Sequence, residues 1–98
     1  MSNDALDAAT ARKIIRTVLD AGRTYPTSHF KERLKDRNIS MQDVIAALKS
    51  GIVTQTEHDL KTGDWKYTIT GSGIDINPLN VVITIYPDQN KIVLLTVF

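Results

Sequence analysis

At Gly51 the spacing of apolar residues changes from a helical period to an alternating one. That single switch limits the chain to a fold in which helices come first and strands follow. Ahead of it, Leu6, Ala9, Ile14, Val18 and Ala21 keep a loose helical repeat that Ile15 and Leu19 widen, which predicts a helix from Asp4 to Ala21. Asp4 and Asp7 supply negative charge at its start, and Gly22 ends it. Arg23–Thr27 reads as a connector, because Pro26 biases Tyr25 away from helical backbone.

A second helix is expected over Ser28–Arg37, capped by Thr27 or Ser28, with Phe30 and Leu34 as its buried pair. Ser40-Met41-Gln42-Asp43 has the spacing of a capping box, and Ile39 and Val44 are placed for a hydrophobic staple. They open a third helix that Gly51 closes, with Val44, Ile45 and Leu48 facing the core. Beyond Gly51 four strands are expected: Ile52–Leu60, Asp64–Gly71, Val81–Tyr86 and Lys91–Phe98. The last two are apolar on both faces and so belong in the middle of a sheet. The expected class is α+β: N-terminal helices, then a four-stranded antiparallel sheet with the helices packed on one face. Ninety-eight residues suit one domain, divided into an N-terminal helix and connector (1–26) and an α+β core (27–98).

The chain has no cysteine, so it has no disulfide framework, cysteine zinc site or thiol nucleophile. Two histidines are too few for a multi-histidine metal site, and no cofactor motif is present. Glu57, His58 and Asp59 read as the polar end of a strand. No apolar run approaches membrane-spanning length, and the acidic start, Met1-Ser2-Asn3-Asp4, does not resemble a signal peptide. A cytoplasmic protein without membrane partners is the expectation. Net charge is +1, but residues 1–37 carry eight Lys/Arg against five acids, while residues 38–98 carry four against six. A basic helical half suits phosphates, and equally suits an ordinary solvated surface.

His29, Arg33 and Arg37 recur every fourth residue, so they drift only about 40° per step and form a row along one helix face. Imidazole moves protons near neutral pH and guanidinium grips phosphate, which makes the row a candidate phosphodiester site. Glu32 and Asp36 are equally placed to pair with these cations on a plain solvated face. Lys66, Thr68 and Thr70 share one strand face, opposite Trp65 and Tyr67. Tyr67 reads as a core aromatic or as a base-stacking ring, and Thr96 interrupts an otherwise apolar strand.

Ser28-His29-Phe30-Lys31-Glu32-Arg33, Arg37, Asp43-Val44-Ile45, Gly51-Ile52, Trp65-Lys66-Tyr67, Val81-Val82-Ile83 and Thr96-Val97-Phe98 together resemble a small bacterial family of uncharacterised domains. That family is related to RelE/MqsR-like toxins and, through them, to the barnase–EndoU–colicin–RelE group. The resemblance covers Thr27 to Phe98 and leaves the first helix outside. It implies a metal-independent ribonuclease of a toxin–antitoxin or polymorphic-toxin system, with RNA as substrate and an antitoxin or immunity protein as partner. Carried over, it makes His29 the acid/base group, Arg33 the phosphate stabiliser and Thr96 a positioning residue. Arg37, Lys66 and Tyr67 become RNA-binding residues. The +1 charge departs from the markedly basic character of RelE-type toxins. The alternative is a non-catalytic RNA- or protein-binding module on the same fold, such as a degenerate toxin, an immunity-like protein or a phage accessory protein.

Overall fold

A computed structural model describes residues 4–98. Of the acidic tetrapeptide at the start of the chain, Met1–Asn3 lie outside the described residues. The order is α1 (Ala8–Ala21), β1 (Arg23–Pro26), α2 (Ser28–Arg37), α3 (Met41–Ser50), β2 (Ile52–His58), β3 (Trp65–Gly71), β4 (Leu79–Tyr86), a short 3₁₀ turn (Pro87–Gln89) and β5 (Lys91–Val97). No helix among the described residues is long and apolar enough to cross a membrane.

The first helix starts later than the sequence pattern indicates. Asp7 is its N-cap, accepting from the Thr10 backbone N–H at 2.7 Å, and Asp4–Leu6 precede it. The other boundary signals act as expected. Thr27 caps α2, Ser40 and Asp43 form a full capping box on α3, and Gly22 and Gly51 end α1 and α3.

Among the described residues the sheet has five strands, not four, and is mixed rather than antiparallel, in the order β1-β5-β4-β3-β2. The extra strand is Arg23–Pro26, expected as a connector. It pairs in parallel with Lys91–Leu94 of β5. Pro26 is tolerated because it closes a short edge strand, where its missing N–H costs no ladder bond in the middle of the sheet.

Register separates the two faces. Val53, Ile69, Val81 and Val97 lie in one row and Thr56, Tyr67, Ile83 and Leu94 in the next, all on the face that meets the helices. Ala11, Ile15 and Val18 of α1, Phe30 of α2 and Val44, Ala47 and Leu48 of α3 close the core over that face. The approach is tightest at Gly71, where a Cβ would collide with the Ala47 carbonyl oxygen, so α3 packs directly on the end of β3. The opposite face carries Gln55, Thr68, Val82 and Thr96 in one row, and Glu57, Lys66, Thr84, Val93 and Tyr25 in another. Among the described residues α2 reaches this face only from its edge, where His29 approaches Thr96.

Candidate functional site

The site begins with Thr27. Its hydroxyl accepts from the Phe30 backbone N–H at 3.1 Å, capping α2, and also donates to the Leu95 carbonyl at 3.3 Å. Its backbone N–H donates to the Leu94 carbonyl at 3.0 Å. These three bonds pin the N-terminus of α2 beside the half of β5 that β1 is too short to cover. Phe30 then turns into the core, fully buried, while His29 stays exposed.

Across from it, β5 carries a bulge. Val82 pairs with Thr96 but Ile83 pairs with Leu94, leaving Leu95 as the extra residue. Strict alternation from buried Leu94 would point Thr96 at the helices; the inserted residue turns it onto the uncovered face while Val97 stays buried. As a result Thr96 Oγ1 and His29 Nε2 lie 3.5 Å apart, from residues 67 positions apart in sequence.

Arg33 lies one turn beyond His29 on the same helix row and is half-buried. Its Nε is shielded from solvent and has no hydrogen-bond acceptor. Arg37 goes elsewhere. It lines, with Lys31, Lys35, Ser40, Asp43 and Asp75, a groove of about 920 Å³ between the end of α2, the start of α3 and the loop before β4. Neither His29 nor Thr96 borders that groove. Lys66 stands on the uncovered sheet face, where its ammonium lies 3.8 Å from Asp59. Tyr67 is a correction: only 3% exposed on the helix side, it uses its hydroxyl to accept the Leu6 backbone N–H at 2.9 Å. It has no ring face to offer a base.

Asp43 does more than cap. One carboxylate oxygen accepts from the Ser40 N–H at 3.1 Å and the Ser40 hydroxyl at 2.8 Å. The other accepts from the backbone N–H groups of Ile74 at 2.8 Å and Asp75 at 3.1 Å. The Asp75 N–H foremost, with the Ser40 donors and Ile74, holds this carboxyl down at about 2. Sequence spacing shows the cap but gives no sign of the loop contact.

An aromatic cluster is likewise not visible in the sequence. Lys91 Nζ lies 4.7 Å from the Tyr86 ring centroid and 5.7 Å from that of Tyr25, and Arg23 Nη1 donates to the Tyr25 hydroxyl at 3.4 Å. Its sequence signals are Tyr25, which falls within the expected connector, and Tyr86, which alternation puts on one strand face with Thr84. Among the described residues no group of three or more His, Asp or Glu side chains could hold a metal ion.

No curated protein and no solved structure matches the chain. A family model does match, and it starts at Thr27, the residue that caps α2 and pins it to β5. α1 and β1 therefore lie outside the shared part. With residues 27–98 matched, the chain belongs to the family described as Domain of unknown function (DUF4258).

Proposed function

We propose that the protein is a toxin-like, metal-independent ribonuclease acting at the junction of α2 and β5. The observation that carries this reading is the 3.5 Å approach of His29 Nε2 to Thr96 Oγ1, made by two separately placed devices, the Thr27 cap and the Leu95 bulge. An imidazole beside a hydroxyl, with a guanidinium one turn away, supplies what phosphodiester transesterification requires. The ribose 2′-oxygen bonds to phosphorus as the bond from phosphorus to the 5′-oxygen breaks. His29 takes the 2′-hydroxyl proton, and water supplies a proton to the departing 5′-oxygen. Arg33, half-buried one turn away, supplies positive charge for the phosphate oxygens. Thr96 positions the imidazole. The same assignment draws on the resemblance of the His29–Arg33–Arg37 helix and of Thr96-Val97-Phe98 to a small family of uncharacterised domains linked to RelE/MqsR-like toxins.

The non-catalytic reading has one observation in its favour. Arg37 is separated from His29 and lines a groove that also holds Asp43 and Asp75, a mixed-charge surface suited to a protein partner such as an antitoxin. Incubating the purified protein with bulk RNA in EDTA separates the two. A ribonuclease of this type yields fragments ending in 2′,3′-cyclic phosphate and 5′-hydroxyl; a binder leaves the RNA intact.

A further inference from the structure

We propose that Tyr25, Lys91 and Tyr86 form a second RNA subsite, which holds an unpaired base and its phosphate on the uncovered sheet face. The inference rests on the RNA reading above and extends it to single-stranded RNA as the substrate class.

Tyr25 pairs with Val93, Val93 with Thr84, and Lys91 with Tyr86, so both rings and the ammonium belong to the face opposite the helices. Lys91 lies within 6 Å of both ring centroids, a geometry in which the cation and the rings hold one another in place. The Tyr86 hydroxyl is fixed by donating to Asp64 at 2.9 Å, which also occupies that carboxylate. Arg23 adds a second cation at the Tyr25 hydroxyl. Tyr25 remains 43% exposed, a large aromatic on an edge strand with no core to fill. Aromatic rings interleaved with cations are what single-stranded nucleic acid selects, because every base has a stacking face and every link a phosphate.

Position argues for RNA over a protein occupant. Lys91 and Thr96 lie on the same strand and the same face. Five residues of strand separate them by about 15 Å. A strand of RNA laid along β5 therefore reaches the cluster after leaving His29 and Thr96. A duplex has its bases stacked inward and cannot offer them to the rings.

The test is binding of a fluorescent single-stranded RNA of about 8 nucleotides, made with 2′-O-methyl sugars so that it cannot be cut. The full chain is compared with Tyr25→Ala, Tyr25→Phe and Arg33→Ala, each checked for unchanged urea unfolding. Tyr25→Ala is expected to weaken binding about 5- to 100-fold, the effect of losing one base–aromatic stack, while Tyr25→Phe keeps the ring and the affinity. If Arg33→Ala weakens binding and Tyr25→Ala leaves it unchanged, the subsite is wrong and the RNA reading stands. Equal affinity for a duplex of the same sequence also overturns the subsite. If the unmodified chain binds no RNA, the RNA reading falls and the subsite with it.

Discussion

The Thr27 hydroxyl donates to the Leu95 carbonyl at 3.3 Å, so the residue that caps α2 also holds the bulge of β5. One side chain thus joins the element that carries His29 to the element that carries Thr96. Thr27→Ala is expected to cost about 0.5–2 kcal/mol in urea unfolding, the usual range for removal of an N-cap. Thr27→Ser retains the hydroxyl and should recover most of that stability. RNA cleavage should fall further in Thr27→Ala than in Thr27→Ser at equal folded fraction, because the alanine variant also loosens the His29–Thr96 approach.

Leu48 is 1% exposed and packs between α3 and the sheet. Leu48→Ala should destabilise by about 2–5 kcal/mol through reduced burial and a cavity, read from the shift of the chemical unfolding midpoint. Tyr67→Phe removes the acceptor for the Leu6 N–H and should cost about 0.5–1.5 kcal/mol without touching RNA affinity. A fall in RNA affinity in that variant would return Tyr67 to the binding surface.

Asp43 gives the fold a specific acid sensitivity. Its carboxyl sits at about 2 in the folded chain against an ordinary 3.8. A depressed folded value means stability that is present above the unfolded value and lost as pH falls toward the folded one. Unfolding midpoints measured from pH 5 downward should therefore decline between about pH 4 and 2. Asp43→Asn should be less stable at neutral pH and show a shallower decline across the same window. An unchanged slope in that variant would assign the acid sensitivity to other carboxylates.

Phe30, Ile39, Val44, Leu48, Ile83, Ile85 and Leu94 are all buried, as their spacing and flanking signals indicate. Local chemistry is enough there: caps, a staple, and two strands apolar on both faces. β1 is not legible because four residues with a proline carry almost no strand signal, and its partner is β5, far away in sequence. The Leu95 bulge is hidden for a different reason. In Ile92-Val93-Leu94-Leu95-Thr96-Val97 apolar residues fill both faces, so a one-residue slip leaves no mark on the pattern. The His29 row is readable from its spacing, but its meeting with Thr96 depends on that bulge. Alternation puts Tyr67 on the correct strand face; its burial decides between the core role and the base-stacking role.

RNA affinity should depend on the helical cations and on salt. Arg33→Ala is expected to weaken binding across sequences, and Arg37→Ala, whose side chain lines the separate groove, to weaken it less. Removing one phosphate-binding cation should reduce the slope of log affinity against log salt by about 0.7 for a single strand. Affinity that stays constant between about 50 and 200 mM salt would count against phosphate tracking by these residues.

The most direct test of the ribonuclease assignment is the single-turnover cleavage rate of a defined RNA in EDTA, with unmodified chain, Thr96→Val and His29→Ala compared at saturating protein. His29→Ala is expected to cut roughly 10²- to 10⁴-fold more slowly, as for removal of a general acid/base group, and the products of the unmodified chain should end in 2′,3′-cyclic phosphate. Thr96→Val should fall between the two, since it removes only the hydroxyl beside the imidazole. Equal rates for the unmodified chain and His29→Ala, or no cleavage by either, would contradict the assignment and leave the sheet face and the Arg37 groove as binding surfaces.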